Sequence, residues 1–205
     1  MLAIHKSLFS YMSSFNFINT PIEGVTIIEP KVFGDDRGYF LETYQKDIFA
    51  SAGLDYDFVQ SNLSKSHKGV LRGLHFQTRK PQAKLVRVVQ GEVYDVAVDL
   101  RKGSPTYGKY VGVTLSSEKH NMFMIPRGFA HGFLVLSEEA LFEYQVDDVY
   151  DPGFEGGIPW DDDMVNIAWP KVDCPLDLSP KDGLHKGLKV SKVEFGMKDG
   201  VFQLL

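Results

Sequence analysis

The stretch from Gly69 to Arg101 constrains the fold of this chain more than any other stretch. In its second half, apolar and polar side chains alternate with a period of two, over Tyr94, Asp95, Val96, Ala97, Val98, Asp99, Leu100 and Arg101. This period predicts a half-buried β-strand, with the apolar face packed on a core. The Gln90-Gly91-Glu92 break between two β-rich runs predicts a tight hairpin turn.

Similar short β-rich runs, separated by turns rich in Gly and Pro, fill most of the remaining chain. They include GVTIIEPKVF, YFLETY, FVQSNLS, KYVGVTLS, MFMIPRGFAHGFLVLS and LFEYQVDDVY. One short helix is predicted over QKDIFASAGL, with Gly53 as its C-cap. The chain beyond Asp151 is predicted to be mostly loop. Many short strands with little helix predict a single antiparallel all-β sandwich or barrel.

Composition narrows the class of protein. A chain of 205 residues with 24% charged and 43% hydrophobic residues is typical of a folded globular domain. The formal net charge of −5 argues against general binding to nucleic acid or to a membrane, so neither is expected as a partner. The single cysteine, Cys174, has no internal partner for a disulfide, which favours a reducing, cytoplasmic compartment.

Four polar residues interrupt the apolar run that begins at Gly69: Arg72, His75, Gln77 and Lys84. Polar groups at core positions are costly unless they are paired, so this cluster indicates a site. In a regular strand Arg72 and His75 would face opposite sides, and Gly73 is the position where a β-bulge brings both to one face. A structural, satisfied histidine is the alternative interpretation of His75.

Other candidates lie elsewhere on the predicted strands. Gln60 and Asn62, two residues apart, are expected side by side on one face, as in a wet groove. His131 is flanked by two glycines that allow close approach of a ligand, although a buried core histidine is its alternative. Tyr144 is a candidate acid, or else a core aromatic with a paired hydroxyl. The remaining histidines are expected on the surface: His5, His67, His120 and His185.

A bound metal is not expected. His75 is followed two residues later by Gln77 rather than by a second histidine, and Lys84 would repel a cation. The sequence contains neither a phosphate-binding glycine loop nor a nucleophile elbow.

Six segments resemble, in this order, the dTDP-4-dehydrorhamnose 3,5-epimerase family: DDRGYFLETY, FVQSNLSKS, GVLRGLHFQ, KLVRVVQGEVYDVAVDLRKGSPTYG, IPRGFAHGFLVLS and SPKD. The resemblance runs from about Gly24 to Asp182. It implies a cupin-type jelly roll that binds no metal and needs no cofactor. It also implies a homodimer that acts on dTDP-4-keto-6-deoxyglucose in dTDP-L-rhamnose biosynthesis, which supplies bacterial surface polysaccharides such as O-antigen.

The resemblance assigns roles residue by residue. The family's catalytic base matches His75, and the aspartate that orients this base matches Asp182. The family's proton donor matches Tyr144, and its lysine near the keto oxygen matches Lys84. The family's substrate-binding positions match Arg37, Phe40, Glu42, Gln60, Asn62, Arg72, His131, Glu155 and Lys181. Tyr150 matches an aromatic residue that stacks on the thymine.

The chemistry of the family asks for these residue types. Protons at C3 and C5 of a 4-keto sugar are α to a carbonyl, so a base removes one and leaves an enolate that is reprotonated from the opposite face. Imidazole suits this work because its unperturbed pKa is roughly 6.5. A carboxylate fixes its tautomer, a cation stabilises the enolate, and a phenol delivers the new proton. Arg37 and Arg72 are expected to hold the diphosphate.

Three alternatives stay open at this point. The first alternative is an epimerase that acts on C3 or C5 alone. The second is a sugar-nucleotide-binding cupin without catalysis, and the third is a metal-dependent cupin oxygenase or isomerase. Along the chain we predict an N-terminal extension at residues 1–23, one jelly-roll domain at 24–182 and a C-terminal tail at 183–205.

Overall fold

Two antiparallel β-sheets build most of the molecule, which we describe from a computed structural model at residues 14–189, 195–198 and 201–204. In chain order the strands are β1 (Phe15–Asn19), β2 (Thr26–Pro30), β3 (Val32–Asp35), β4 (Gly38–Leu41), β5 (Gln60–His67), β6 (Val70–Gln77), β7 (Lys84–Gln90), β8 (Glu92–Asp99), β9 (Tyr110–Ser116), β10 (Met122–Ile125), β11 (Phe129–Val135), β12 (Glu139–Val146), β13 (Glu155–Gly157), β14 (Asp177–Leu178), β15 (Phe195–Lys198) and β16 (Val201–Leu204). The helical elements are α1 (Lys46–Ser51) and the 3₁₀ turns Pro152–Phe154 and Asp182–Leu184.

The first sheet has the order β1-β2-β10-β7-β12-β5, and the second has the order β13-β6-β11-β8-β9 with β14 beside β6. Neighbours in both sheets are antiparallel except for the β14–β6 pair. The prediction of an antiparallel all-β jelly roll with a few short helices is therefore confirmed. Among the described residues, no helix combines the length and the apolar character that a membrane crossing requires.

The Gln90-Gly91-Glu92 turn is not a hairpin, and that prediction is wrong. β7 belongs to the first sheet and β8 to the second, so the turn carries the chain from one sheet to the other. Gly91 has φ +82°, and a Cβ at this position would lie 2.0 Å from the carbonyl oxygen of Glu139. The glycine was a correct sign of a sharp turn, but a turn alone does not say which strands pair.

Strand β8 is buried on both faces, not on one as its period-two pattern suggested. Its outward side chains, Val96 and Val98, pack in a cluster with residues from the chain beyond Asp151, among them Ile158 and Val165. The polar face looks into the space between the sheets, where Asp95 is fully buried. The chain beyond Asp151, which the sequence predicts to be mostly loop, thus covers the outer face of the second sheet.

A second cluster fills the space between the two sheets. Phe133 of β11 and Phe142 of β12 stack there with ring centroids 4.2 Å apart. Beneath the first sheet, Phe49 of α1 is buried against β1 and β2 residues in a third cluster. The predicted helix is therefore confirmed, and its buried face anchors it to the sheet.

The predicted domain boundaries remain a prediction. Within the predicted extension, residues 1–13, and with them His5, lie outside the described residues, whereas β1 pairs with β2 along its whole length. Within the predicted tail, β15 and β16 pair with each other, and Phe195 is fully buried against Phe76.

Candidate active site

One cavity of about 690 Å³ lies between the two sheets. Strands β5, β7 and β12 of the first sheet and β6 and β11 of the second line it. Most of the predicted site residues contribute to its walls: Gln60, Asn62, Arg72, His75, Lys84, His131, Tyr144, Tyr150, Glu155, Lys181 and Asp182. Residues from six strands, a loop and a 3₁₀ turn therefore meet at one site.

The His75–Asp182 pair stands at the centre of this cavity. The Nε2 atom of His75 is 2.5 Å from Oδ1 of Asp182, and the Oγ atom of Ser179 donates a hydrogen bond to Oδ2 at 2.8 Å. Burial alone would raise the pKa of the Asp182 carboxyl, but the hydrogen bonds and the charge of His75 hold this pKa below its ordinary value. An ionised aspartate on Nε2 leaves the Nδ1 lone pair of His75 free to accept a proton.

A β-bulge in β6 presents Arg72 and His75 to the same cavity, as predicted from Gly73. His131 of β11 faces His75, and Phe133 faces Arg72, so three steps along β6 match two along β11. Gly73 has φ +121°, and a Cβ there would lie 2.6 Å from the Cα atom of Gly132. Only glycine fits this backbone conformation and this close strand contact without strain.

Tyr144 lies on the opposite wall, because it belongs to β12 of the first sheet. It pairs with Asn62 of β5, whose side-chain oxygen accepts a hydrogen bond from Gln60 at 2.8 Å. The expected side-by-side placement of these two amides is confirmed. Burial raises the pKa of Tyr144, with Arg72 and Lys181 opposing that shift, so the phenol keeps its proton at neutral pH.

Lys84 is the first residue of β7 and points into the same cavity. Burial lowers the pKa of Lys84 to about 8, although the charges of Asp95 and Glu155 oppose this shift. The ammonium group is therefore present at neutral pH, yet it is easily discharged in mildly alkaline solution.

His131 is a buried histidine with a carboxylate partner, Asp95. Its Nε2 atom is 3.0 Å from both carboxylate oxygens. Burial lowers the pKa of His131, and the charge of Asp95 only partly offsets this. The sequence pattern identified His131 but did not single out its partner, although Asp95 stands at a core-facing position of β8 and is the type of residue that needs one there.

Polar side chains also converge at one rim of the cavity. The hydroxyl of Tyr150 donates to Oε2 of Glu155 at 3.3 Å, and Lys181 contacts the other oxygen of that carboxylate. The backbone N–H of Tyr150 donates to Oε1 of Gln60 at 3.0 Å. The half-exposed ring of Tyr150 is thereby fixed beside the opening.

Three predicted binding residues do not reach this cavity within the chain. Arg37, Phe40 and Glu42 lie on or just after the β3–β4 hairpin, and none of them lines the cavity. The hairpin pairs with no other strand of the described chain, Phe40 is 65% exposed, and Arg37 forms an ion pair with Asp35 at 2.5 Å.

His185 was expected on the surface, and that expectation is wrong. Its side chain is only 15% exposed, and its Nε2 atom is 3.7 Å from Oδ1 of Asp182. The spacing of three residues carries the missed signal, because side chains three apart in a 3₁₀ turn lie above one another. Of the other histidines, His67 is exposed as expected, and His120 is half-buried beside the ring of Tyr39.

Fold and site together define a jelly-roll enzyme, with the His75–Asp182 pair and Tyr144 on opposite walls of one cavity. The family model described as dTDP-4-dehydrorhamnose 3,5-epimerase matches residues 19–190. The chain belongs to this family, and the resemblance seen in its sequence is confirmed.

Individual relatives agree with this assignment. The chain is 53% identical to the dTDP-4-dehydrorhamnose 3,5-epimerase of Methanothermobacter thermautotrophicus, over 89% of this chain and 99% of that protein. It also resembles the crystal structure of dTDP-6-deoxy-D-glucose-3,5-epimerase from Legionella pneumophila in complex with dTDP-4-keto-L-rhamnose, with a TM-score of 0.84 and 50% identity. That match covers 86% of this chain and 94% of the other.

One relative has a narrower activity in its name. The dTDP-4-dehydrorhamnose 3-epimerase of Streptomyces niveus is 45% identical over 78% of this chain and 78% of that protein. The names of these relatives thus include epimerisation at one carbon and at two.

Proposed function

We propose that this protein is a dTDP-4-dehydrorhamnose 3,5-epimerase, which converts dTDP-4-keto-6-deoxy-D-glucose into dTDP-4-keto-L-rhamnose in dTDP-L-rhamnose biosynthesis. The observation that carries the proposal is the His75–Asp182 pair on one wall of the cavity with Tyr144 on the other. A base and an acid on opposite faces of a sugar ring invert the carbon between them. The reaction moves protons and oxidises nothing, so the mechanism uses no nicotinamide.

The proposed mechanism begins at His75. Its Nδ1 atom takes the proton from C3 or C5, the electron pair of the C–H bond becomes an enolate, and the negative charge collects on the C4 oxygen. Asp182 stabilises the resulting imidazolium and holds its orientation. Lys84 places a positive charge near the C4 oxygen, where it stabilises the enolate more than the ketone.

Tyr144 completes the inversion. Its hydroxyl gives a proton to the opposite face of the same carbon and becomes phenolate, while the imidazolium of His75 keeps the abstracted proton. Exchange of both groups with solvent restores the starting protonation states. The second carbon then passes through the same cycle.

Binding of the nucleotide falls to the polar rim. We assign the diphosphate to Arg72 and Lys181, whose charges face the cavity of a net-negative chain, and further polar contacts to Gln60 and Asn62. Tyr150 offers a half-exposed aromatic face for the thymine. His131 and Glu155 hold the walls behind these groups through Asp95 and Lys181.

We extend the proposal to a homodimer in which each hairpin completes the cavity of the partner subunit. The exposed β3–β4 hairpin carries Arg37 and Phe40, and Glu42 follows it. A cation, an aromatic ring and a carboxylate on an otherwise unpaired hairpin are suited to a nucleotide held elsewhere. The lone cysteine supports a reducing, cytoplasmic location for the enzyme.

Proton NMR of dTDP-4-keto-6-deoxyglucose incubated with the protein in deuterated water tests the function. We expect deuterium at both C3 and C5. When a reductase is added to the reaction, we expect dTDP-L-rhamnose as the final product. Folded protein that introduces no label would overturn the proposal.

The second candidate function is epimerisation at C3 alone. The narrower activity named for the Streptomyces niveus relative favours it, since that chain is 45% identical to this one. Label at C3 without label at C5 in the same experiment would establish this alternative.

A further inference from the structure

We infer that His75, Asp182 and His185 form a binding site for a single zinc ion, and that zinc bound there switches off the base. One ligand atom from each of the three side chains lies within 4.8 Å of the others. The binding part of this inference stands on the geometry alone. Only the inhibition rests on the proposed epimerase function.

The three side chains share one carboxylate oxygen as their centre. Oδ1 of Asp182 is 2.5 Å from Nε2 of His75 and 3.7 Å from Nε2 of His185. The two imidazole rings approach edge to face, with centroids 5.6 Å apart. All three groups therefore converge on one point at the edge of the cavity.

The third side chain, His185, has a buried ring nitrogen without a hydrogen bond among the described residues. Its Nε2 atom is shielded from solvent and has no hydrogen-bond partner among the residues that the structure describes, because 3.7 Å to Asp182 is too long for a hydrogen bond. A buried polar atom without a partner costs free energy, so it marks a place where a ligand adds stability.

The position of the His185 ring is fixed by its neighbour on β13. A Cβ at Gly157 would lie 2.4 Å from two atoms of the imidazole, so the ring packs directly against that backbone. Gly157 in turn faces His75 in the β13–β6 pair. The second imidazole is thus held beside the first by strand pairing as well as by its own 3₁₀ turn.

Zinc fits these ligands better than a hard cation does. Two neutral imidazoles and one carboxylate are the set that transition metals prefer, whereas Mg²⁺ and Ca²⁺ take mostly oxygen ligands. Ligand atoms on one tetrahedral zinc ion are about 3.3 Å apart, given bond lengths of about 2.0–2.1 Å. For zinc to bind, the His75–Asp182 contact must lengthen and the His185–Asp182 contact must shorten.

Coordination removes the lone pair that the proposed reaction needs. A neutral imidazole that binds zinc through Nε2 keeps its proton on Nδ1, so Nδ1 of His75 no longer accepts a proton from the sugar. The proton that Nε2 of His75 shares with Asp182 moves through solvent to Nδ1, so no proton is gained or lost, and removal of the zinc reverses this transfer. Lys84 lines the same cavity and opposes the cation, so we expect weaker binding than in a structural zinc site.

Calorimetric titration of the full chain, freed of metal by chelation and without substrate, tests the site with zinc chloride. We expect one zinc ion per chain for the wild type, and affinity at least tenfold weaker for His185→Phe, which keeps a ring against Gly157 but offers no ligand. His67→Gln is the matched control, because it removes an exposed histidine that also pairs with an aspartate, Asp177. Its affinity should equal that of the wild type.

Two results would overturn the inference: no zinc binding by the wild type, or equal affinity in wild type and His185→Phe. If His185→Phe does not fold, His185→Gln takes its place, with the same expected loss of affinity. In activity assays, zinc should stop deuterium exchange by the wild type and a chelator should restore it, whereas His185→Phe should need at least tenfold more zinc. Zinc binding by a protein that exchanges no deuterium would refute the proposed function and leave the site intact.

Discussion

At the scale of single residues, the cavity is bordered by two histidine–aspartate pairs that differ in exposure. His75 is 25% exposed and meets the cavity, whereas the His131 side chain is only 8% exposed and faces Asp95 from within the protein. The exposure of His75 supports its proposed role as the reacting group, and the burial of His131 supports the proposed structural role. Exposure, not residue type, separates the two roles.

Replacing His75 with alanine tests the first role. We expect His75→Ala to lower turnover by roughly 10²- to 10⁴-fold, because the general base is lost, while the protein remains folded. Turnover is measured by coupled reductase assay, and folding by circular dichroism with thermal melting. Loss of the folded state in this variant would instead identify His75 as a structural residue.

Tyr144→Phe separates proton removal from proton delivery. Burial raises the pKa of Tyr144, which keeps the acid loaded at working pH. Without it we expect inverted product to fall by roughly 10²-fold or more, while deuterium still enters recovered substrate through His75. Mass spectrometry of substrate and product measures both. A variant that binds substrate but exchanges no label contradicts the assignment.

Lys84 links catalysis to stability through pH. Burial lowers its pKa from 10.5 to about 8, so wild-type turnover should fall as pH rises through about 8. Below that pH the folded state bears the cost of a buried charge, and the cost disappears between about 8 and 10.5. Lys84→Met should therefore melt at a higher temperature than the wild type at pH 7. This difference in melting temperature should disappear as the pH approaches about 10.5.

The exposed Lys119 provides the control for Lys84. Lys119→Met should change neither the pH profile of turnover nor the melting temperature, because its charge is solvated in both states. A wild-type turnover that stays constant from pH 7 to 10 would show that the charge of Lys84 is not needed.

At the scale of elements, local patterns located the strands but not their partners. The period of two identified β8, and Gly73 identified the bulge, because both signals lie within a few residues of sequence. Which strands pair depends on contacts distant in sequence, so the turn at Gly91 was correct as a turn and wrong as a hairpin. His185 had a local signal in its spacing of three residues from Asp182, but its packing against β13 depends on a contact distant in sequence.

Replacing Gly73 with alanine tests whether the β6 bulge is needed for stability and for turnover. Gly73→Ala should lower the free energy of unfolding by roughly 1–3 kcal/mol for the backbone strain alone, with a further loss from the contact with Gly132. Turnover should fall as well, because Arg72 and His75 lose their common face. Chemical denaturation and the coupled assay measure the two effects.

Gly53→Ala is the matched control for Gly73→Ala. Gly53 also has a positive φ, +86°, but nothing lies within 4 Å of an added Cβ. We expect a loss of roughly 1 kcal/mol and normal turnover. Equal losses in the two variants would mean that the close approach of β6 and β11 is unimportant.

At the scale of the whole molecule, the sequence motifs supplied more site residues than one chain brings together. The sequence resemblance assigns Arg37, Phe40 and Glu42 to the same site as His75, yet the three residues lie on or just after the β3–β4 hairpin and do not line the cavity. A resemblance in sequence does not indicate whether a residue contributes to the cavity of its own subunit or to that of a partner subunit. The distance of the hairpin from the cavity within one chain raises this question for Arg37, Phe40 and Glu42.

Subunit mixing tests whether the hairpin acts on a partner subunit. We combine His75→Ala with a hairpin variant in which Arg37, Phe40 and Glu42 are all alanine, each inactive by itself. Random pairing should restore about a quarter of the wild-type sites, because half of the dimers are mixed and each holds one intact site. Turnover after joint refolding measures this, and no recovery would mean that each hairpin serves its own chain.

The two sheets also give the core a part in choosing the product. His75 belongs to one sheet and Tyr144 to the other, and the Phe133–Phe142 stack lies in the layer that separates them. The thickness of that layer sets the distance between His75 and Tyr144. We therefore expect selectivity between C3 and C5, the two carbons on either side of the ketone, to respond to changes in hydrophobic packing as small as one methyl group, even where His75 and Tyr144 stay unchanged.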